Sequence, residues 1–259
     1  MERLHLHLYL DITSDYSDAD FVNYLRGRKD PEELEDPTIP VPDLTKERPK
    51  PVEERKPVPD RFKAAGVYLD FHSNAAQGTD AFKKSLLDDG SVVVYLGHST
   101  LDFIKRRSLG LEPLGHKKVE INPDELMRLL ALSRAKLVIL ATCASSTLGL
   151  EQLKGRPAVV VTNSGSDLKT WSNDWGLALK HFLLLLIGYE VHDKIDIKAQ
   201  PVGRYETPTN VGEILTKLTR KKRATIKEAL DASDLGFKEN NSTDRFQLAH
   251  GEGSMVVFP

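Results

Sequence analysis

Three runs of strand length are almost wholly apolar: residues 91–96 (SVVVYL), 136–141 (KLVILA) and 157–162 (PAVVVT). A strand with one wet face alternates polar and apolar residues, whereas one covered on both faces reads as a continuous apolar run. Helical patterns separate these runs. Strands alternating with helices predict a mainly parallel sheet with helices on both faces, an α/β fold.

The other elements fit around that sheet. Leu4, Leu6, Leu8 and Leu10 alternate with His5, His7 and Tyr9, the period of a half-buried strand. His5 and His7 share a face and offer two nitrogens. No third ligand is apparent near them in the chain, so two partly exposed strand histidines are the simpler reading, and neither a metal nor another cofactor is expected. Residues 66–71 read as a strand. Pro123 opens a helix capped by Asn122, with Leu126, Leu129, Leu130 and Leu132 apolar. Residues 174–187 form a long apolar helix that ends at Gly188. A further helix is expected over 211–232 and a last strand over 254–258. Residues 30–60 mix prolines with charges and cannot bury enough apolar surface to order themselves. They are an exposed insertion or linker, so residues 1–259 are expected to be a single domain.

Composition narrows the function classes. Hydrophobic residues make up 40% of the 259, enough for a sizeable core. The net charge of −2 supplies no global field toward nucleic acid or an acidic membrane. Met1 leads straight into charged and alternating residues, and the longest apolar stretch, 182–188, is far below the roughly 20 residues of a membrane helix. A cytoplasmic protein that uses neither membrane nor nucleic acid is expected. The basic run 217–227 (KLTRKKRATIK) is read as a solvated helix face. Cys143 is the single cysteine, so neither an intramolecular disulfide nor a cysteine metal cluster can form.

Two central strands run into reactive residues. SVVVYL leads to Gly97-His98-Ser99-Thr100, and KLVILA leads to Thr142-Cys143-Ala144-Ser145-Ser146. Ligands of open parallel sheets bind at the carboxyl ends of the strands. If the two strands are neighbours, His98 and Cys143 emerge side by side. A thiol with a free pKa of about 8.5 is mostly protonated at neutral pH. An adjacent imidazole can take that proton and later return it to a leaving amine. Backbone amides of Ser99 and Cys143 are natural donors to an oxyanion. Ordinary core and capping residues also occupy strand ends, and the pair alone does not separate the two readings.

The order of motifs goes further. Strand-Gly-His-Ser, a helix, then strand-Ala-Thr-Cys-Ala-Ser-Ser resembles the caspase-like (clan CD) cysteine peptidases, particularly their CHAT branch. Val159 to Thr162 is similar to the family's next core strand. Trp171-Ser172-Asn173-Asp174, an apolar helix with Phe182, then Gly188, Val191 and Ala199 are similar to the stretch that follows. The resemblance covers residues 66–232. It implies a caspase-hemoglobinase-like three-layer sandwich, with Cys143 as nucleophile and His98 as general base and acid. Caspases commonly carry glycine after the histidine, where this chain has Ser99, whose backbone amide still serves the oxyanion.

By the same resemblance, Asp174, Asp167 and Trp171 would lie near the pocket for the residue before the scissile bond. An acidic residue there favours Arg or Lys. The alternative for Asp174 is to cap the following helix. Few residues separate Cys143 from the next strand, so a single active chain is expected rather than one cut there. The exposed segments 30–60 and 105–118 are candidate autocleavage sites or flaps. The function implied is a cysteine endopeptidase acting on a protein substrate, in a bacterial defence module with a gasdermin-like or other partner substrate and an activating partner protein. The alternatives are an inactive caspase-like interaction module, and a nucleotide-binding domain, for which neither a G-x-G-x-x-G nor a P-loop pattern is found.

Overall fold

The computed structural model describes residues 4–11, 21–22, 25–26, 60–73, 78–97, 99–102, 106–111, 119–142, 145–162, 173–190, 219–220, 222–233 and 246–258. Its centre is a six-stranded sheet built from β1 (Leu4–Asp11), β2 (Val67–Ser73), β3 (Val92–Gly97), β7 (Leu137–Ala141), β8 (Ala158–Thr162) and β11 (Phe246–His250). The spatial order is β11-β8-β7-β3-β1-β2. All neighbours are parallel except β11, which runs antiparallel to β8. Strand β1 sits inside the sheet, with β2 on one side and β3 on the other. The winding therefore reverses direction between β1 and β3, as in doubly wound sheets.

The apolar runs are covered on both faces, as their composition requires. Every residue of β3, β7 and β8 is buried. On one face, Leu6, Leu8, Val94, Ile139 and Val160 share a core with α4 (Asn173–Leu186) and α5 (Ile226–Ser233), together with Phe62 of α1 (Arg61–Ala64). On the other, Tyr95, Val138 and Val161 pack with Phe82 and Leu86 of α2 (Gly78–Leu86) and with Leu126 and Leu130 of α3 (Pro123–Leu132). Full burial of one such side chain contributes roughly 1.5–3 kcal/mol, so these strands anchor the fold.

Local chemistry sets the helix ends. Asn122 Oδ1 accepts from the Glu125 amide at 2.8 Å, and Pro123 occupies the first turn where no amide is missed. Ser133 closes α3 and donates to the Leu86 carbonyl at 2.8 Å, tying α3 to α2. Helix α4 stops as expected, with Gly188 at φ 89°. Its second half is buried nearly all round and includes His181. Burial, and then the charge of the adjoining Lys180, push the His181 imidazole down to about 4.

Three expectations are corrected. The helix placed over 211–232 begins at Ile226; Thr219–Arg220 is instead a strand, β10, paired with β9 (Tyr189–Glu190), and residues 211–218 lie outside the described residues. The reason is a capping box that starts the helix. The Thr225 amide donates to Glu228 Oε2 at 2.8 Å, and the Glu228 amide donates to Thr225 Oγ1 at 3.2 Å. These bonds hold the Glu228 carboxyl below its ordinary value.

The last strand of the sheet is 246–250 rather than 254–258, where Val256 makes only an isolated bridge to Thr225. The chain turns away at Gly251, whose φ is 93°. Part of the segment read as a loop over 105–118 is a strand. Arg106–Leu111 is β5, between β4 (Ser99–Asp102) and β6 (Val119–Ile121) in a small antiparallel sheet.

Most of the Pro-rich segment lies outside the described residues. Its end, Asp60, caps α1 by accepting from the Lys63 amide at 3.1 Å. No helix among the described residues is long and apolar enough to cross a membrane.

Candidate active site at the carboxyl edge of the sheet

Strands β3 and β7 are hydrogen-bonded parallel neighbours, with Leu96 opposite Ala141. The chain therefore leaves the sheet at Gly97 and at Thr142 on the same edge, on strands about 4.8 Å apart. His98 is the next residue after Gly97, and Cys143 the next after Thr142. Both lie outside the described residues, as do Asp167 and Trp171. Ser99 opens β4, where it is paired with Leu109. Asp174 lies within the first turn of α4, one residue in from Asn173, rather than at the cap position before the helix.

The backbone on either side of Cys143 is tied to the end of β8. Thr162 Oγ1 donates to the Thr142 carbonyl at 2.6 Å. Ser145 Oγ donates to the Leu140 carbonyl at 2.9 Å and accepts from the Thr162 amide at 3.0 Å. The Ser145 amide reaches the Thr142 carbonyl at 3.3 Å. Each hydroxyl has one proton, and both protons are committed to carbonyls. The 3.1 Å approach of the Ser145 and Thr162 hydroxyls therefore carries no second strong bond.

Thr142, Ser145 and Thr162 are at most 2% exposed, so this network is dry and its bonds are strong. The Thr142 hydroxyl is also buried, with no hydrogen bond among the described residues. The arrangement ties residues 140, 142 and 145 to the end of β8.

Sequence reasoning missed Ser145 and Thr162 as supports. The available signal was the hydroxyl residues at and just beyond the ends of KLVILA and PAVVVT, where a strand exit leaves carbonyls to satisfy. It also left His5 and His7 without a third ligand. The fold supplies Asp70 and His72 from β2 and Asp88 from the turn before β3, with donor atoms of each triad within 4.8 Å of one another. The signal there was the alternation in β2, which sets Tyr68, Asp70 and His72 on one face.

Scanned against protein-family models and against curated proteins, the chain matches none.

Proposed function

We propose that the chain is a cysteine endopeptidase of the caspase-like kind, with Cys143 as nucleophile and His98 as its base and acid. One observation carries the reading: the strands that precede His98 and Cys143 are parallel neighbours ending on one edge of the sheet. Had the two strands been separated, or antiparallel, the two residues would leave the sheet apart. Further support comes from helix α3 on the connection between the strands, and from helices on both faces of a mainly parallel sheet. These are the features expected of a caspase-hemoglobinase-like sandwich.

The chemistry follows from the residue types. The His98 imidazole takes the Cys143 thiol proton, and the thiolate attacks the scissile carbonyl. Backbone amides of Ser99 and Cys143 stabilise the oxyanion. Collapse of the tetrahedral adduct expels the amine, which takes its proton from the imidazolium, and leaves a thioester. Water, deprotonated by His98, then attacks the thioester carbonyl, and the C–S bond breaks to release the acid and return the Cys143 thiolate beside the imidazolium. Asp167, Asp174 and Trp171 border the pocket for the residue before the scissile bond and favour Arg or Lys there. The substrate is a protein, such as a gasdermin-like pore former in a bacterial defence module, met under the control of an activating partner.

Profiling against a peptide library that varies the residue before the scissile bond tests both levels. Cleavage abolished by Cys143→Ala and by His98→Ala supports the dyad; retained cleavage in Cys143→Ala overturns it. Preference for Arg or Lys supports the acidic pocket, and preference for Leu or Asp rejects it.

A further inference from the structure

A second constellation lies away from the carboxyl edge. His7 stands opposite Asp70 on β2 and opposite Val93 on β3, four residues before Gly97. That is on the order of 13 Å from the strand ends. We propose that His7, Asp70 and His72 form a site for a divalent transition metal of the zinc class, held through His7 Nδ1, Asp70 Oδ2 and His72 Nε2.

Three observations converge. The first is spacing. Asp70 Oδ2 is 3.4 Å from His7 Nδ1 and 3.4 Å from His72 Nε2. Both separations are long for a hydrogen bond. They match the edge of a tetrahedron whose metal–ligand bonds are about 2.0–2.1 Å, roughly 3.4 Å. The donors thus face one another at coordination distance rather than bonding distance.

The second is the state of His7. Its Nε2 lies 2.8 Å from Asp88 Oδ2, a short hydrogen bond in which the ring donates to a carboxylate. In the neutral ring that bond puts the proton on Nε2 and leaves the lone pair on Nδ1. Nδ1 is buried and makes no hydrogen bond among the described residues, and the His7 side chain is only 10% exposed. A lone pair aimed at a carboxylate oxygen is repelled unless a cation sits between them. A carboxylate that accepts the far N–H of a ligating histidine is the usual support of a metal-bound imidazole.

The third is rigidity. The His72 ring lies flat on Tyr9, centroids 4.3 Å apart and planes within 4°. Ser85 Oγ donates to the Ala81 carbonyl at 3.0 Å, so the Tyr9 hydroxyl donates to Ser85 Oγ at 2.5 Å. Tyr9 is pinned and pins His72 in turn. The His5 ring lies nearly parallel to that of His7, with centroids 5.7 Å apart.

Two imidazoles and one carboxylate suit zinc and its neighbours rather than calcium or magnesium, which prefer oxygen ligands alone. Asp70 is 41% exposed in its side chain, so the fourth position opens to solvent. The metal would cross-link β1 to edge strand β2, with Asp88 joining the turn that leads into β3.

Zinc titration of the full chain carrying Cys143→Ala, in competition with a chromophoric chelator, tests the site without a thiolate contribution. One zinc per chain is expected, with a melting temperature raised by zinc. Asp70→Asn, partly exposed and isosteric, weakens binding by more than about 100-fold and removes the thermal shift. Asp88→Asn weakens it by about 10–100-fold, the usual effect of losing an outer-shell partner. If the parent binds no zinc, the proposal falls. Zinc bound equally well by Asp70→Asn also overturns it, because the metal then sits elsewhere.

Discussion

The side chain of Thr162 donates a 2.6 Å hydrogen bond to the carbonyl of Thr142, the residue before Cys143. Ser145, two residues beyond Cys143, accepts from the Thr162 amide at 3.0 Å. One residue at the end of β8 therefore grips the chain on both sides of the proposed nucleophile. Ser145→Ala strands the buried Thr162 amide and the Leu140 carbonyl, at a cost of about 1–3 kcal/mol. Thr162→Val costs less, because the Thr142 carbonyl keeps its contact with the Ser145 amide. Denaturant midpoints read both changes. Thiol alkylation of Cys143 in folded Ser145→Ala should also slow. Unchanged stability and unchanged alkylation together would dismiss the network as a support.

The proposed dyad carries a pH signature that can be tested. If His98 holds the Cys143 thiolate as an ion pair, alkylation of Cys143 follows a titration below the free thiol value of about 8.5. His98→Ala moves that midpoint back up toward about 8.5. Slow alkylation at neutral pH in the parent, unaltered by His98→Ala, would indicate an unactivated thiol and favour an interaction module on the same fold.

His181 makes stability depend on pH in a second window. Its folded-state value lies at about 4, below the ordinary 6.5, because burial and then Lys180 disfavour the charged ring. Between pH 6.5 and 4 the unfolded chain binds a proton that the folded chain refuses, so stability falls as pH falls through that range. The loss is on the order of 3 kcal/mol once both states are protonated. His181→Leu removes this contribution. The parent's denaturation free energy minus that of the variant, followed from pH 7 to 4, should fall steadily. A constant difference would contradict the buried neutral ring.

Gly251 ends the edge strand and allows its antiparallel approach to β8. Its φ is 93°, and an added Cβ would lie 2.8 Å from Ala158 Cα. Gly251→Ala is therefore expected to destabilise by more than about 1 kcal/mol. Gly155→Ala is the control: its φ is also positive, at 75°, but the added Cβ meets nothing within 4 Å. Equal losses in the two variants would show that backbone conformation alone, without the close approach to Ala158, sets the cost.

Much of the fold was legible because burial on both faces leaves a compositional trace. SVVVYL, KLVILA and PAVVVT became β3, β7 and β8, and the Asn122-Pro123 start of α3 was placed by local chemistry alone. Errors fell where local signals competed. Over 211–232 the basic and apolar residues suggested one helix, but the Thr225–Glu228 capping box begins it at Ile226. At the end of the chain, the apolar residues after Gly251 suggested a strand, while the sheet had taken residues 246–250.

What the sequence by itself determined is the set of central strands and the residues that follow them. Hydrophobic pattern and turn chemistry act over a few residues, and a chain records them directly. The strand order, and with it every juxtaposition across the sheet, was decided only by tertiary structure. Leu96 lies beside Ala141, and His7 beside Asp70, because hydrogen-bonded strands bring distant segments within about 5 Å. No local pattern specifies which strand will be whose neighbour. The edge shared by β3 and β7, the grip of Thr162 on Thr142, and the meeting of His7 with Asp70, His72 and Asp88 all belong to that second level.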